Sequence, residues 1–224
     1  MSSEKRAGIK MSDKYTIYQY WDAPTPPPEV DRLINTWAFD KSFNHELYDY
    51  ESARSFIKSN FEKSTLTAFE KCLVPAMQAD FFRYCILFKE SGIYIDADTE
   101  NGGGLGELVG GVAKKGLLME RHGNIANDFI FLKESGSSLL SRVVRKAEKN
   151  IREEASNNVW KVTGPGIMTS LFNSESEQSI FKDYEIASVR VIRKSVFFKW
   201  DLAYKSKEQD WRAFGENDSA SIFR

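Results

Sequence analysis

The chain has 224 residues, of which 42% are hydrophobic and 28% charged, with a formal net charge of -1. This allows one substantial α/β domain and excludes a strongly basic nucleic-acid binder, because phosphate backbones select an excess of Lys and Arg. Two cysteines, Cys72 and Cys85, cannot build a disulfide scaffold, and no apolar run approaches the roughly 18 residues of a membrane-spanning helix.

The first residues, 1–13, are polar and read as a disordered leader without the apolar centre of a secretory signal, on a cytoplasmic protein. A single domain over 14–224 is the simplest organisation. Tyr15 to Trp21 is aromatic and β-branched, hence a first strand. After the proline-rich turn, Pro28 opens a helix with Val30, Leu33, Ile34 and Trp37 at helical spacing. Phe43 to Tyr50 reads as a second strand, and Ala53, Phe56, Ile57 and Phe61 as a second helix. A third helix runs from Val74 to Glu90, with Gly92 as a left-handed cap, and Ile93 to Asp98 follows as a short strand. Gly102 to Gly111 forms a mobile loop that does not fit GxGxxG. Leu117–Met119 and Asp128–Leu132 are strands, and a long amphipathic helix begins at Ser137 or Ser138. Thr163 to Gly166 leads into a short helix, Ser188 to Trp200 reads as strand, and 201–224 is a polar tail containing Trp211. Alternating strands and helices predict crossover units and a mostly parallel sheet.

The chemistry concentrates in Asp96-Ala97-Asp98. In a strand, alternate side chains share a face, so Tyr94, Asp96 and Asp98 point one way, with the two acids about 6.5–7 Å apart at Cα. Paired acids repel unless a cation neutralises them, and Mg²⁺ or Mn²⁺ accepts such oxygen ligands together with phosphates and water. The alternative is a pair of solvated strand-end acids. On the preceding helix Asp80 and Arg83 lie one turn apart and meet, either as a surface ion pair or as part of the site. Neither His45 nor His122 is set in a Ser–His–Asp pattern, and His122 reads as a surface residue.

Ala79-Asp80-Phe81-Phe82-Arg83-Tyr84, followed by Ser91-Gly92-Ile93-Tyr94-Ile95-Asp96-Ala97-Asp98, resembles the signature of the family-32 DXD glycosyltransferases, with Ser91 in place of the first glycine. That family is related in its core to the large glucosylating toxins. The resemblance implies a GT-A fold, a Rossmann-like α/β/α sandwich with a mixed, mostly parallel sheet. It also implies retaining transfer from a UDP- or GDP-sugar to a glycan acceptor, with Mn²⁺ or Mg²⁺ and no nucleic acid. By position, Trp21 would stack on the base, Tyr94 would line the donor pocket, and Asp80 and Arg83 would hold sugar hydroxyls. Asp96 and Asp98 would bind the metal, Asn127 would face the sugar, and Trp211 would close over the diphosphate. Asp210 stands where family members carry His. A role in surface polysaccharide synthesis, peripheral to the inner face of a membrane, fits such acceptors. Competing readings are a non-catalytic carbohydrate or nucleotide-sugar binder on the same fold, and a haloacid-dehalogenase-type phosphatase suggested by Asp96-Ala97-Asp98-Thr99.

Overall fold

The computed structural model describes residues 14–206 and 221–224. The elements run β1 (Thr16–Tyr20), α1 (Pro28–Ala38), β2 (Asn44–Tyr48), α2 (Tyr50–Asn60), α3 (Lys63–Lys71), α4 (Pro75–Glu90) and β3 (Gly92–Ile95). There follow β4 (Thr99–Asn101), α5 (Leu105–Gly110), β5 (Gly116–Arg121), β6 (Asn124–Leu132), α6 (Ser138–Arg152), α7 (Val159–Val162) and α8 (Pro165–Phe172). The chain then forms β7 (Glu185–Ser188), α9 (Val189–Ile192) and β8 (Val196–Phe198).

Six strands make the central sheet in the order β2-β1-β3-β6-β5-β7, and β4 pairs with β8 in a separate two-stranded sheet. The β1–β2, β1–β3 and β5–β7 pairs are parallel, while β3–β6 and β5–β6 are antiparallel. This is the mixed, mostly parallel sheet of a GT-A-type fold. Inner strands alternate between two apolar faces: Tyr18, Tyr94, Leu118 and Ile130 enter one core, and Ile17, Ile93, Ile95, Leu117 and Phe131 enter the other. Helices α4 and α8 pack on the first face, with α6 behind α4; α1, α5 and α9 lie on the opposite side. Sheets covered on both faces have no polar side, so these strands show no hydrophobic–polar alternation.

Helix α4 is buried nearly all round, from Met77 to Leu87, as its uniformly apolar sequence requires. Its polar exceptions, Gln78, Asp80 and Arg83, are therefore buried as well. The ion pair on this helix is not a surface feature.

Four local expectations are corrected. The strand before the acids stops at Ile95, and the backbone turns through 96–98, held by a bond from Thr99 Oγ1 to the Asp96 carbonyl (2.7 Å). Alternation along a strand therefore does not set the direction of Asp98. The glycine-rich stretch is not one loop: it follows β4, and most of it is α5, which opens on Gly104 in a left-handed conformation (φ 75°). Residues Ser188 to Trp200 are not one strand but the end of β7, α9 and β8, because the chain must leave the sheet edge to pair with β4. At the end of α4, Ser91 itself caps the helix in a positive-φ conformation (φ 60°, ψ -164°), and Gly92 (φ 97°) already pairs in β3. The expected leader, Asp210 and Trp211 lie outside the described residues.

Candidate active site

The site is built at the carboxyl end of β3 over the buried polar side of α4. Arg83 is 3% exposed and is the hub. Its guanidinium contacts Asp80 Oδ1 (3.2 Å) and Asp96 Oδ1 (3.0 Å), donates to the Asn127 carbonyl (2.6 Å) and the Ala79 carbonyl (3.2 Å), and lies 4.5 Å from the Tyr94 ring centroid. Asp80 accepts from Asn127 Nδ2 (2.8 Å) and Thr163 Oγ1 (3.2 Å). Asn127 Nδ2 also reaches Tyr84 Oη (2.8 Å). A buried guanidinium is tolerable only with such partners, and removing one strands the rest. Burial pushes the Asp80 carboxyl up, against the opposing pull of Arg83, Asn127 and Thr163. Burial works against the Arg83 charge, but Asp96, Tyr94 and Asp80 together outweigh it and raise its pKa.

Asp96 sits on the outer side of this hub with its side chain 30% exposed. Its amide donates to the Asp128 carbonyl (3.2 Å), and its own carbonyl accepts from Gln19 Nε2 (3.2 Å), which is paired with His45 (2.8 Å). Packing pushes its carboxyl up to about 8: Arg83 opposes this, while Asp98, Asp128 and Asp80 add to it.

Asp98 already has a cation. Lys205 Nζ lies 2.5 Å from its Oδ2, and Tyr204 Oη donates to the same oxygen (2.7 Å). The turn Ala203–Ser206 is tied down by Glu29, which accepts from the amides of Ala203 and Tyr204 (3.2 Å each). The Tyr204 ring meets Trp21 edge-on at 5.1 Å. One short segment thus covers both the expected base-stacking ring and the expected metal ligand.

Of the expected site residues, the fold brings Asp80, Arg83, Tyr94, Asp96 and Asn127 into direct contact, and it joins Asp98 and Trp21 through Tyr204. His122 is exposed in the β5–β6 turn, as expected of a surface residue. Tyr84, Thr163, Gln19, Tyr204, Lys205 and Asp128 were not assigned roles from sequence. Tyr84 follows Asp80 by four residues, so helical spacing alone puts both on one side. The others come together only through folding.

Whether these residues suit a divalent ion can be judged from the donors themselves. Among the described residues no group of three or more His, Cys, Asp or Glu side chains converges on a metal position. A magnesium-like ion needs no such cage: one or two carboxylates suffice when substrate phosphates and water fill the remaining positions. Asp96 and Asp98 would supply those carboxylates, and the Lys205 ammonium already sets a positive charge against Asp98. The residues fit.

Comparison with known proteins agrees. Residues 27–105 match the family described as "Glycosyltransferase sugar-binding region containing DXD motif". That stretch, which holds Asp80, Arg83, Asp96 and Asp98, is similar to the sugar-binding region of DXD glycosyltransferases. Over 97 residues, 42% of this chain, it is 37% identical to an uncharacterized glycosyltransferase, L373, of Acanthamoeba polyphaga mimivirus. Over 76 residues, 32% of the chain, it is 33% identical to the initiation-specific alpha-1,6-mannosyltransferase of Schizosaccharomyces pombe. These matches span 39% and 19% of those two proteins. The fold resembles the PaToxG glycosyltransferase at a TM-score of 0.57 and 13% identity, over 91% of this chain and 86% of that one. The phosphatase reading of the Asp-x-Asp-Thr stretch is set aside, since the match to a DXD sugar-binding region contains those residues.

Proposed function

We propose that this chain transfers a sugar from a nucleoside-diphosphate sugar to a hydroxyl acceptor, with Asp96 and Asp98 holding Mn²⁺ or Mg²⁺ against the diphosphate. The observation that carries the reading is the pair of acids at the carboxyl end of β3, one fixed by Arg83 and the other already bound to a cationic side chain. Ligands of α/β sheets gather at that end of the strands.

Bond cleavage at the anomeric carbon leaves positive charge on the sugar and negative charge on the departing diphosphate. A divalent cation there would supply Lewis-acid stabilisation of the leaving group. The protein's own part is preorganisation, since groups that need not move during reaction stabilise charge most effectively. Arg83 sets the Asp96 carboxylate and, through the Asn127 carbonyl, the facing strand β6. Asp80 and Asn127 form the floor against which the donor sugar lies. Tyr94 is fully buried and, contrary to expectation, does not line the pocket but backs the Arg83 guanidinium with its ring, while Trp21 stacks on the base once Tyr204 yields. Retention of configuration is the stereochemical outcome that the family resemblance supports. Similarity to a protein named as an α-1,6-mannosyltransferase puts nucleoside-diphosphate mannose first among donors to try. A glycan acceptor is the substrate class consistent with this.

The test is Asp98→Asn. Titration calorimetry with GDP and UDP should show Mn²⁺-dependent binding in the parent, weakened at least tenfold in the variant, with donor hydrolysis lost. Mn²⁺-dependent binding and turnover equal to the parent's would remove the assignment. Nucleotide-sugar binding without turnover toward any acceptor would instead support a non-catalytic binder.

A further inference from the structure

Beneath the turn that carries Asp96 and Asp98 lies one buried amide that an apolar core does not call for. Gln19 stands on β1, on the same face as Ile17, and is 0% exposed. The strand residues that share this core, Ile17, Ile93 and Ile95, are aliphatic. A buried polar group costs free energy unless its atoms find partners. Both ends of Gln19 do: Nε2 donates to the Asp96 carbonyl (3.2 Å), and Oε1 meets His45 Nε2 (2.8 Å).

These contacts fix the hydrogens as well. The Asp96 carbonyl can only accept, so Gln19 turns its NH₂ toward it and its oxygen toward His45. That oxygen also accepts only, so His45 carries its hydrogen on Nε2. Burial lowers the His45 pKa and favours the neutral ring, with Nδ1 left bare. His45 lies on β2 in register with Ile17, two residues before Gln19, so its ring reaches the amide diagonally across the strand pair.

A carbonyl has two lone pairs, and the second on Asp96 is taken by Thr99 Oγ1 (2.7 Å). Thr99 is fully buried, and its own carbonyl accepts from the Trp37 indole N–H (3.1 Å). Thr99 alone would satisfy the Asp96 carbonyl. Two donors arriving from different elements do more, because they fix the plane of the peptide that joins Asp96 to Ala97. The Asp96 amide is held on the other side by the Asp128 carbonyl (3.2 Å). Since β3 ends at Ile95, this peptide sets the path of the backbone to Asp98. A methionine would fill the place of Gln19 without making any of these bonds, so packing alone does not account for the amide.

We propose that Gln19, turned by His45, is a positioning residue for the divalent-ion site. It touches neither ion nor donor; it acts through the Asp96 carbonyl and, with Thr99, holds the two acids in the relative geometry that one ion requires. The proposal rests on the glycosyltransfer reading above and extends it to side chains on β1 and β2 that lie behind the acids.

The experiment uses the full chain saturated with GDP or UDP, titrated with Mn²⁺ by calorimetry. Gln19→Met should weaken Mn²⁺ binding at least about tenfold, the usual size of an effect on residues that orient metal ligands. His45→Phe should weaken it severalfold. His45→Gln, whose amide N–H can replace the imidazole Nε2–H, should restore most of the loss. In the Gln19→Met background, His45→Phe should change the affinity less than about twofold, because residues acting through one another are not additive. The metal-free parent gives a second readout that needs no variant to fold: long-range ¹H–¹⁵N correlation should show His45 as the Nε2–H tautomer. Mn²⁺ affinity unchanged in Gln19→Met, a His45→Phe loss that adds in full to that of Gln19→Met, or an Nδ1–H tautomer each overturns the role while leaving the glycosyltransfer reading in place. A parent that binds no nucleotide with Mn²⁺ overturns that reading and this role with it.

Discussion

Ser91 and Gly92 show how much a single backbone angle constrains. Gly92 is required: at φ 97° an added Cβ would lie 2.7 Å from the Thr16 carbonyl oxygen, a contact real Cβ atoms do not make. Ser91 occupies φ 60°, ψ -164°, a region nearly confined to glycine and costing about 1–3 kcal/mol for other residues. The departure from Gly-Gly in the family signature is therefore a strain and not a neutral change. Ser91→Gly should raise stability by about 1 kcal/mol after the entropy of the added glycine is counted. Thermal denaturation should register a rise of about 2–4 °C, and an unchanged or lower midpoint would refute the strain. At this scale the sequence was readable where helical spacing applies, as with Asp80 and Arg83. It was silent on Arg83's reach to Asp96 and to Asn127, 13 and 44 residues away in the chain.

Among the elements, the turn Ala203–Ser206 has the clearest consequence. Its Lys205 neutralises Asp98, and its Tyr204 occupies the edge of Trp21, so on the proposed reading loading the donor site means moving both. An ammonium within 2.5 Å of a carboxylate competes directly with a divalent ion for the same oxygen. Lys205→Met should therefore tighten Mn²⁺ binding to the nucleotide-free protein severalfold, read by electron paramagnetic resonance of free Mn²⁺. Weaker Mn²⁺ binding in the variant would show that Lys205 does not hold the place of the metal. The elements recovered from sequence were those with strong local signals: the aromatic β1, the proline-started α1 and α4, and α6, whose Ser137 cap accepts from the Leu140 amide (3.2 Å). Helices α3 and α7 and the β5–β6 hairpin were not anticipated. The hairpin had a usable sign in His122-Gly123, two residues of positive φ (53° and 80°) that suit a tight turn between strands.

For the molecule as a whole, the last described residues act at a distance. Phe223 pairs with Cys72 in an isolated bridge, and Ile222 and Phe223 are buried in the core that holds α4. Helix α4 carries the hub of the site, so this contact braces it from outside the sheet. Phe223→Ala should cost about 3 kcal/mol, as truncating a buried phenylalanine usually does, and lower the melting midpoint by about 6–12 °C. A loss below about 1 kcal/mol would mean that the bridge braces nothing.

The amino-acid sequence alone determined the apolar strands, the capped helices and the run of Asp80, Arg83, Asp96 and Asp98, because each rests on interactions within a few residues along the chain. Only the tertiary structure decided that the Asp80–Arg83 pair is buried, that Lys205 and Tyr204 sit on Asp98, and that Gln19, turned by His45, holds the Asp96 carbonyl. Those outcomes depend on which strands lie side by side and on what α4 is buried against, and side-chain spacing in one segment carries no information about either.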